Sequence, residues 1–296
     1  MTAVREPGCF RDGKWRLIVV SDIWSPQLRE RVFSLVENQP VAEHPQTIAL
    51  RYPEMGDDQV LFLKVFHRAQ GFTGNKDIFR QSKAFRSLRQ GMTLAQIGFN
   101  TPVAVAAGEQ RRFGRLEKAF LVTLAVDGEP AIDFLRGQQM AGARRMTVNK
   151  KREHLKRLAQ EIQRLHSLGF VHGDLVPTNI LVGQGEEGLR FYFLDNDRTQ
   201  RYPSFFPQQL WKRNLVQLNR FPLPGISLQD RIRFFRGYVG DHNGKGKSLR
   251  LLRWLEKKTR RRLKELEAVD PSLSFRQLMR WQERRGAMDQ AKGTSR

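Results

Sequence analysis

Only one cysteine, Cys9, occurs in the 296 residues. No disulfide can form within the chain, which excludes a cross-linked secreted scaffold and suits a reducing compartment. No apolar run approaches the roughly 20 residues that a helix needs to cross a bilayer. The longest, Ala119–Val126, has the length of a buried strand. Arg5, Glu6 and Pro7 stand where a signal peptide has its apolar core. These absences predict a protein on the cytoplasmic side, soluble or attached to a surface. Acid is also scarce. Thirty Asp and Glu face 52 Lys and Arg, for a formal net charge of +22 and a pI near 10.9. The excess is uneven: Arg201 to Arg296 holds 23 Lys and Arg but 8 Asp and Glu, which is most of the net charge. Such a balance favours anionic partners, whether nucleic acid, acidic lipid or phosphorylated glycan. Hydrophobic content of 40% is ordinary for a folded domain.

Periodicity divides the chain in two. Trp15–Val20 reads as a strand and Leu28–Glu37 as a short helix. Thr47–Tyr52 and Val60–Phe66 read as a hairpin around the acidic turn Glu54–Asp58. After a loop at Gly71–Lys76, Asp77 is expected to cap or open a helix that runs to about Ile97, with Phe79, Phe85, Leu88 and Met92 at helical spacing. Val103–Ala107 and Phe120–Val126 are two more strands, joined by a basic turn at Arg111–Arg115. From about Asp127 helices dominate. Val148–Leu168 is the clearest, with Leu155, Leu158, Ile162 and Leu165 on one face and Gly169 as its stop. Two short strands follow, Ile180–Val182 and Leu189–Leu194, and the rest is helical and basic. The expected fold is α+β and bilobal: a β-rich N-terminal lobe over 1–126 and a helical C-terminal lobe over 127–296.

The chemistry concentrates in Val171-His172-Gly173-Asp174-Leu175-Val176-Pro177-Thr178-Asn179-Ile180-Leu181-Val182. A lone His-Gly-Asp is commonly a turn with a capping Asp. Here it follows an amphipathic helix, has Asn five residues on, and enters a hairpin whose far strand ends in Leu194-Asp195. That joint pattern is the layout of a kinase catalytic loop. Phosphoryl transfer needs a carboxylate to orient and deprotonate the attacking hydroxyl, and a carboxylate plus an amide oxygen to hold Mg²⁺ against the nucleotide phosphates. Asp174 fits the first role; Asn179 and Asp195 fit the second, as metal and nucleotide ligands. Asp197 competes with Asp195, which is preferred because it directly follows the apolar run Phe191–Leu194. Lys64, embedded in Leu61-Phe62-Leu63-Lys64-Val65-Phe66, is either an edge-strand lysine reaching water or the cation that anchors ATP phosphates; the downstream loop favours the second reading.

On these motifs the chain resembles the lipopolysaccharide core kinases of the Kdo-kinase and heptose-kinase type. The resemblance runs from about Leu61 to Tyr238. It includes the Leu61–Lys64 strand, Ser82-Lys83-Ala84, Ile97-Gly98-Phe99-Asn100-Thr101-Pro102 and the catalytic loop. Two further segments, Arg213-Asn214-Leu215-Val216-Gln217-Leu218-Asn219-Arg220 and Asp230–Tyr238, resemble this family in particular. The resemblance implies a protein-kinase-like fold and ATP-dependent phosphorylation of a sugar hydroxyl in the lipopolysaccharide inner core. It implies work at the inner face of the inner membrane, with the core glycolipid and an anionic bilayer surface as partners. The cluster Lys257-Lys258-Thr259-Arg260-Arg261-Arg262 suits such a surface or the solvated face of a packed helix.

The chain departs from the kinase pattern in four places. The turn before Lys64 has one glycine and three acids, so it cannot copy a glycine-rich phosphate loop. No acid occurs between Ile78 and Phe99, so the helix glutamate that kinases pair with the strand lysine is missing near Ser87. Another acid must then serve Lys64, or catalysis suffers. Val176 stands where a lysine is common, and Asp195-Asn196-Asp197 lacks the glycine of Asp-Phe-Gly. The alternatives are a pseudokinase scaffold at the inner membrane and a kinase acting on another small molecule or protein. Nucleic-acid binding rests on charge alone, with no accompanying motif.

Overall fold

The structure is a computed structural model. It describes residues 8–40, 42, 45–51, 60–67, 80–136, 147–185, 188–203, 209–219, 227–240 and 245–267. The loops expected at 54–58 and 71–76, and Asp77, lie outside these residues.

The chain forms two compact units: Met1–Asp127 with Tyr192–Arg198, and Gly128–Phe191 with Thr199–Arg296. In the first, β1 (Gly8–Asp12), β2 (Trp15–Val19), α1 (Pro26–Asn38), β3 (Gln46–Arg51), β4 (Val60–His67), α2 (Lys83–Gln96), β5 (Ala104–Arg112) and β6 (Arg115–Leu124) follow in order. The strands make one six-stranded sheet ordered β1-β2-β5-β6-β4-β3, antiparallel at every pairing. Strand alternation sends side chains to opposite faces. Trp15, Leu17, Leu61, Leu63, Val65 and Phe120 pack with Leu28, Val32 and Val36 of α1. Ile18, Phe66, Ala107 and Leu121 pack with Ala84, Phe85 and Leu88 of α2. Lys64 lies between Leu63 and Val65, so it is on the α2 face of β4.

Helix α2 begins later than expected. Its cap is Ser82, whose Oγ accepts from the Phe85 N–H at 3.2 Å. Glu109 of β5, 1% exposed, accepts from the Ser82 N–H at 3.2 Å and from Arg111 Nε at 3.0 Å. A buried carboxylate at a helix N-terminus satisfies orphan donors and opposes the helix dipole. It also fixes where α2 starts.

The second unit contains β7 (Glu129–Pro130), α3 (Ala131–Arg136), α4 (Val148–Ser167), β8 (Phe170–Val171), β9 (Ile180–Gly185), β10 (Gly188–Phe193, whose last two residues belong to the first unit), β11 (Gln200–Arg201), α5 (Gln209–Asn219), α6 (Leu228–Val239) and α7 (Lys245–Glu267). Helix α4 is capped by Thr147 and buries Leu155, Leu158, Ile162 and Leu165, the four residues its period selects, at roughly 2 kcal/mol each. Gly169 closes it at φ +83°, where a Cβ would run into the Tyr202 carbonyl. Helix α6 starts with a capping box between Ser227 and Asp230, and Lys151 of α4 pairs with Asp230 at 2.9 Å. Between these helices lies an apolar cavity of about 260 Å³, lined in part by Leu155, Leu158, Leu215, Phe234, Phe235 and Leu252.

Candidate active site

Lys64 and Asp195 belong to the first unit, Asp174 and Asn179 to the second.

In the first unit the Lys64 ammonium is ion-paired with Asp195 Oδ1, and the Phe66 ring lies 5.7 Å beneath it. The helix that lacks a glutamate is thus bypassed: the acid on the strand lysine comes from the far end of β10. Asp195 is held at φ +54°, a left-handed conformation that costs a non-glycine residue of order 1–2 kcal/mol. The following turn, Asn196–Arg198, is fixed on both sides. Phe193 donates its N–H to the Asn100 carbonyl at 3.0 Å and sets its ring against Phe99 at 5.9 Å. Asn196 Nδ2 donates to the Phe193 carbonyl at 2.9 Å. Asp197 keeps 16% of its side-chain surface and faces Arg86 of α2 at 3.9 Å. Burial pushes its carboxyl up, and Arg86, Lys83 and Arg198 pull against that. The two rival aspartates therefore have different surroundings: Asp195 is 41% exposed beside Lys64, and Asp197 is mostly buried beside a helix cation.

In the second unit the loop after β8 turns at Gly173, φ +77°, between His172 and Asp174. Asn179 Nδ2 donates to the Asp174 carbonyl at 3.0 Å, which directs the amide oxygen the other way. The backbone between them is held by α5. Asn214 Oδ1 accepts from the His172 N–H at 3.0 Å. Gln217 Oε1 accepts from the Leu175 N–H at 3.1 Å, while its Nε2 donates to the Gly173 carbonyl at 2.9 Å. Asn214 Nδ2 donates to Gln217 Oε1 at 2.9 Å, locking the two amides together. Three residues apart on a helix, they share a face. His166 completes the set. Its Nε2 is 3.1 Å from Asn214 Oδ1, an oxygen that can only accept, so Nε2 carries the proton and Nδ1 accepts from Tyr238 Oη at 2.9 Å. Burial lowers the His166 pKa to about 4, against the opposing bond to Asn214, so the ring is neutral at pH 7.

The sequence alone gives Asn214 and Gln217 no role. Their Asn-x-x-Gln spacing was the available signal, but their partners lie 42 to 44 residues away. Among the described residues no group of three or more His, Cys, Asp or Glu side chains could hold a metal ion by itself. This donor chemistry fits Mg²⁺, which usually takes one or two protein oxygens and completes its shell with phosphates and water.

The sequence model of the lipopolysaccharide kinase (Kdo/WaaP) family matches residues 72–238, more than half of the chain. No curated protein matched. Among solved structures, one titled "WaaP in complex with acyl carrier protein" is similar at 20% identity and a TM-score of 0.58, covering 83% of this chain and 98% of that one. The kinase domain of Mycobacterium tuberculosis PknI aligns at 16% identity, over 63% of this chain and 70% of its own, with a TM-score of 0.37.

Proposed function

The chain belongs to the lipopolysaccharide kinase (Kdo/WaaP) family, a family of phosphotransferases, and from that premise we propose that it moves the γ-phosphoryl group of ATP to a sugar hydroxyl of the lipopolysaccharide inner core. The observation that carries the chemical part is the Lys64–Asp195 pair. A cation suited to phosphate and a carboxylate suited to a metal thus stand side by side although the usual helix acid is missing.

In this reading Lys64 holds phosphate oxygens and Asp174 orients the acceptor hydroxyl and takes its proton as the new P–O bond forms and ADP leaves. Asn179 Oδ1 and Asp195 would hold Mg²⁺, which when bound neutralises charge on the transferred group. Asn214 and Gln217 keep Asp174 in place through the backbone on either side of it. Asp197 is assigned to Arg86 rather than to the metal.

Among the described residues no helix is long and apolar enough to cross a membrane. Helix α7 exposes Lys257, Lys258, Arg261 and Arg262 while Leu255 and Thr259 are buried. That basic face supports peripheral attachment to the anionic inner face of the inner membrane, where the core glycolipid is assembled. The similar WaaP structure contains acyl carrier protein, and the apolar cavity beside α4 and α6 supports the same partner here, with its acyl chain as the part received. Intact-mass analysis of the purified protein, looking for a co-purifying acylated carrier, tests that point.

The deciding experiment is transfer of label from γ-labelled ATP to a core glycolipid acceptor with Mg²⁺, alongside Asp174→Asn. Label on the glycolipid from the wild type alone supports the reading. Nucleotide binding without transfer to any core acceptor turns it to a pseudokinase.

A further inference from the structure

The turn between β5 and β6 carries a residue that the fold does not favour. Arg112 pairs with Arg115, leaving a two-residue loop, Phe113-Gly114, with φ of +50° and +76°. Hairpin loops with two positive φ angles favour Asn-Gly, because asparagine tolerates the left-handed region and aromatic residues do not. Phe113 is strained there and gains no packing in return: it is 91% exposed, the most exposed of the large hydrophobic residues described. Among the described residues its one ring contact is the Arg112 guanidinium, 5.7 Å from the centroid. No acid is paired with Arg112 or Arg115 among them. Arg111 instead turns inward to Glu109 and to the Gly114 carbonyl at 2.9 Å, which stiffens the hairpin. The nearest acid on β6, Glu117, is bonded to Gln110. The hairpin therefore presents one aromatic ring between two cations on a rigid, convex tip.

We propose that this tip, Arg112-Phe113-Gly114-Arg115, is a membrane-contact element that sets Phe113 into the interfacial layer of an anionic bilayer while Arg112 and Arg115 meet lipid phosphates. A protein partner is a poorer fit, because a stable interface covers roughly 800 Å² per side and a two-residue tip cannot offer it. Single-stranded nucleic acid stacks on flat platforms of several rings. One ring on a convex turn, with an arginine already over it, is not such a platform. An aromatic ring at headgroup depth flanked by cations suits a bilayer surface. The inference rests on the reading that the acceptor is a glycolipid in a membrane, and it adds a contact on the first unit to the basic face of α7.

The test is sedimentation of the full chain with vesicles of phosphatidylethanolamine and phosphatidylglycerol, free of lipopolysaccharide, and with neutral phosphatidylcholine vesicles. Phe113→Asn puts the residue the turn prefers in place of the ring, so thermal stability should be kept or raised. Its partition onto anionic vesicles is expected to fall roughly tenfold, the scale of a buried phenyl ring. Arg112→Gln and Arg115→Gln should each lower it about fivefold. Phe113→Trp should retain wild-type partition. Phosphate transfer to a detergent-dispersed acceptor should be the same for wild type and Phe113→Asn, so loss of vesicle binding is separable from failure of the kinase reading. Unchanged vesicle binding by Phe113→Asn overturns the proposal and assigns the contact to α7 or elsewhere. It is equally overturned if the wild type ignores anionic vesicles, or if an RNA oligonucleotide binds in a Phe113-dependent way and vesicles do not.

Discussion

Arg86 and Asp197 stand 3.9 Å apart, Nη2 to Oδ2, and join helix α2 to the segment that carries Asp195. Kinases usually make this connection with a helix glutamate reaching the strand lysine. Here the helix supplies the cation, and Asp195 serves the lysine. Arg86→Ala leaves a mostly buried Asp197 without its nearest cation, so its carboxyl should rise further. The pH–rate profile of the variant is expected to show a shallow acid-side step, of at most about tenfold, at higher pH than in wild type, with less than about a tenfold loss at pH 8. Arg86→Lys should restore the profile; a uniform loss at every pH would indicate damage to the fold instead.

The two aspartates should separate cleanly. Asp195→Asn is expected to lower kcat by roughly a thousandfold or more and to weaken the dependence on Mg²⁺ concentration. Asp197→Asn should stay within about tenfold of wild type with an unchanged Mg²⁺ titration. A reversal of these two results would move the metal role to Asp197.

Asn214→Leu should act on turnover more than on nucleotide binding, because its partners are the His166 ring, the His172 N–H and Gln217, none of them assigned to the nucleotide. It strands a buried backbone donor, for a stability loss of about 1–3 kcal/mol. The expected signature is a fall in kcat with KM for ATP within about threefold. A large rise in KM for ATP with kcat intact would contradict the positioning role.

How much of this was legible in the sequence follows the range of the interactions. Helix α4 and the strand pair around the catalytic loop were readable because their patterns are local. Strand β1 was missed: Gly8–Asp12 is an edge strand with four of its five residues exposed, so it has no burial to write into an alternating pattern. Asp77 fits the cap of α2 on the sequence alone because Phe79, two residues on, falls in the same apolar period as Phe85 and Leu88. The choice of Ser82 coincides with Glu109, 27 residues further on. The lack of a helix glutamate was visible, but its resolution through Asp195 spans 131 residues and could not be read. The Asn214 and Gln217 amides were visible only as letters in a motif.

His166 ties stability to pH. Its folded pKa of about 4 lies below the unfolded value near 6.5. Between those values the unfolded chain binds a proton that the folded chain refuses, so stability falls as pH drops through that window and levels off below about 4. The loss is on the order of 2–3 kcal/mol, and it should appear as a lower denaturant midpoint at pH 4.5 than at pH 7.5. His166→Gln should flatten that part of the dependence; an equally steep fall in the variant would assign it to other groups.

Tyr192–Arg198 belongs with the first unit although the chain on both sides of it belongs to the second. The unit that carries Lys64 is therefore not encoded by one uninterrupted stretch of gene. A truncation after Asp127 would remove Phe193, Asp195 and Asn196 together, leaving Lys64 without its acid and the Asn100 carbonyl without its donor. A chimera that borrowed this half from a relative would need two splices rather than one. For the same reason, an insertion or frameshift between β9 and β10 would injure the first unit from about sixty residues beyond its apparent end.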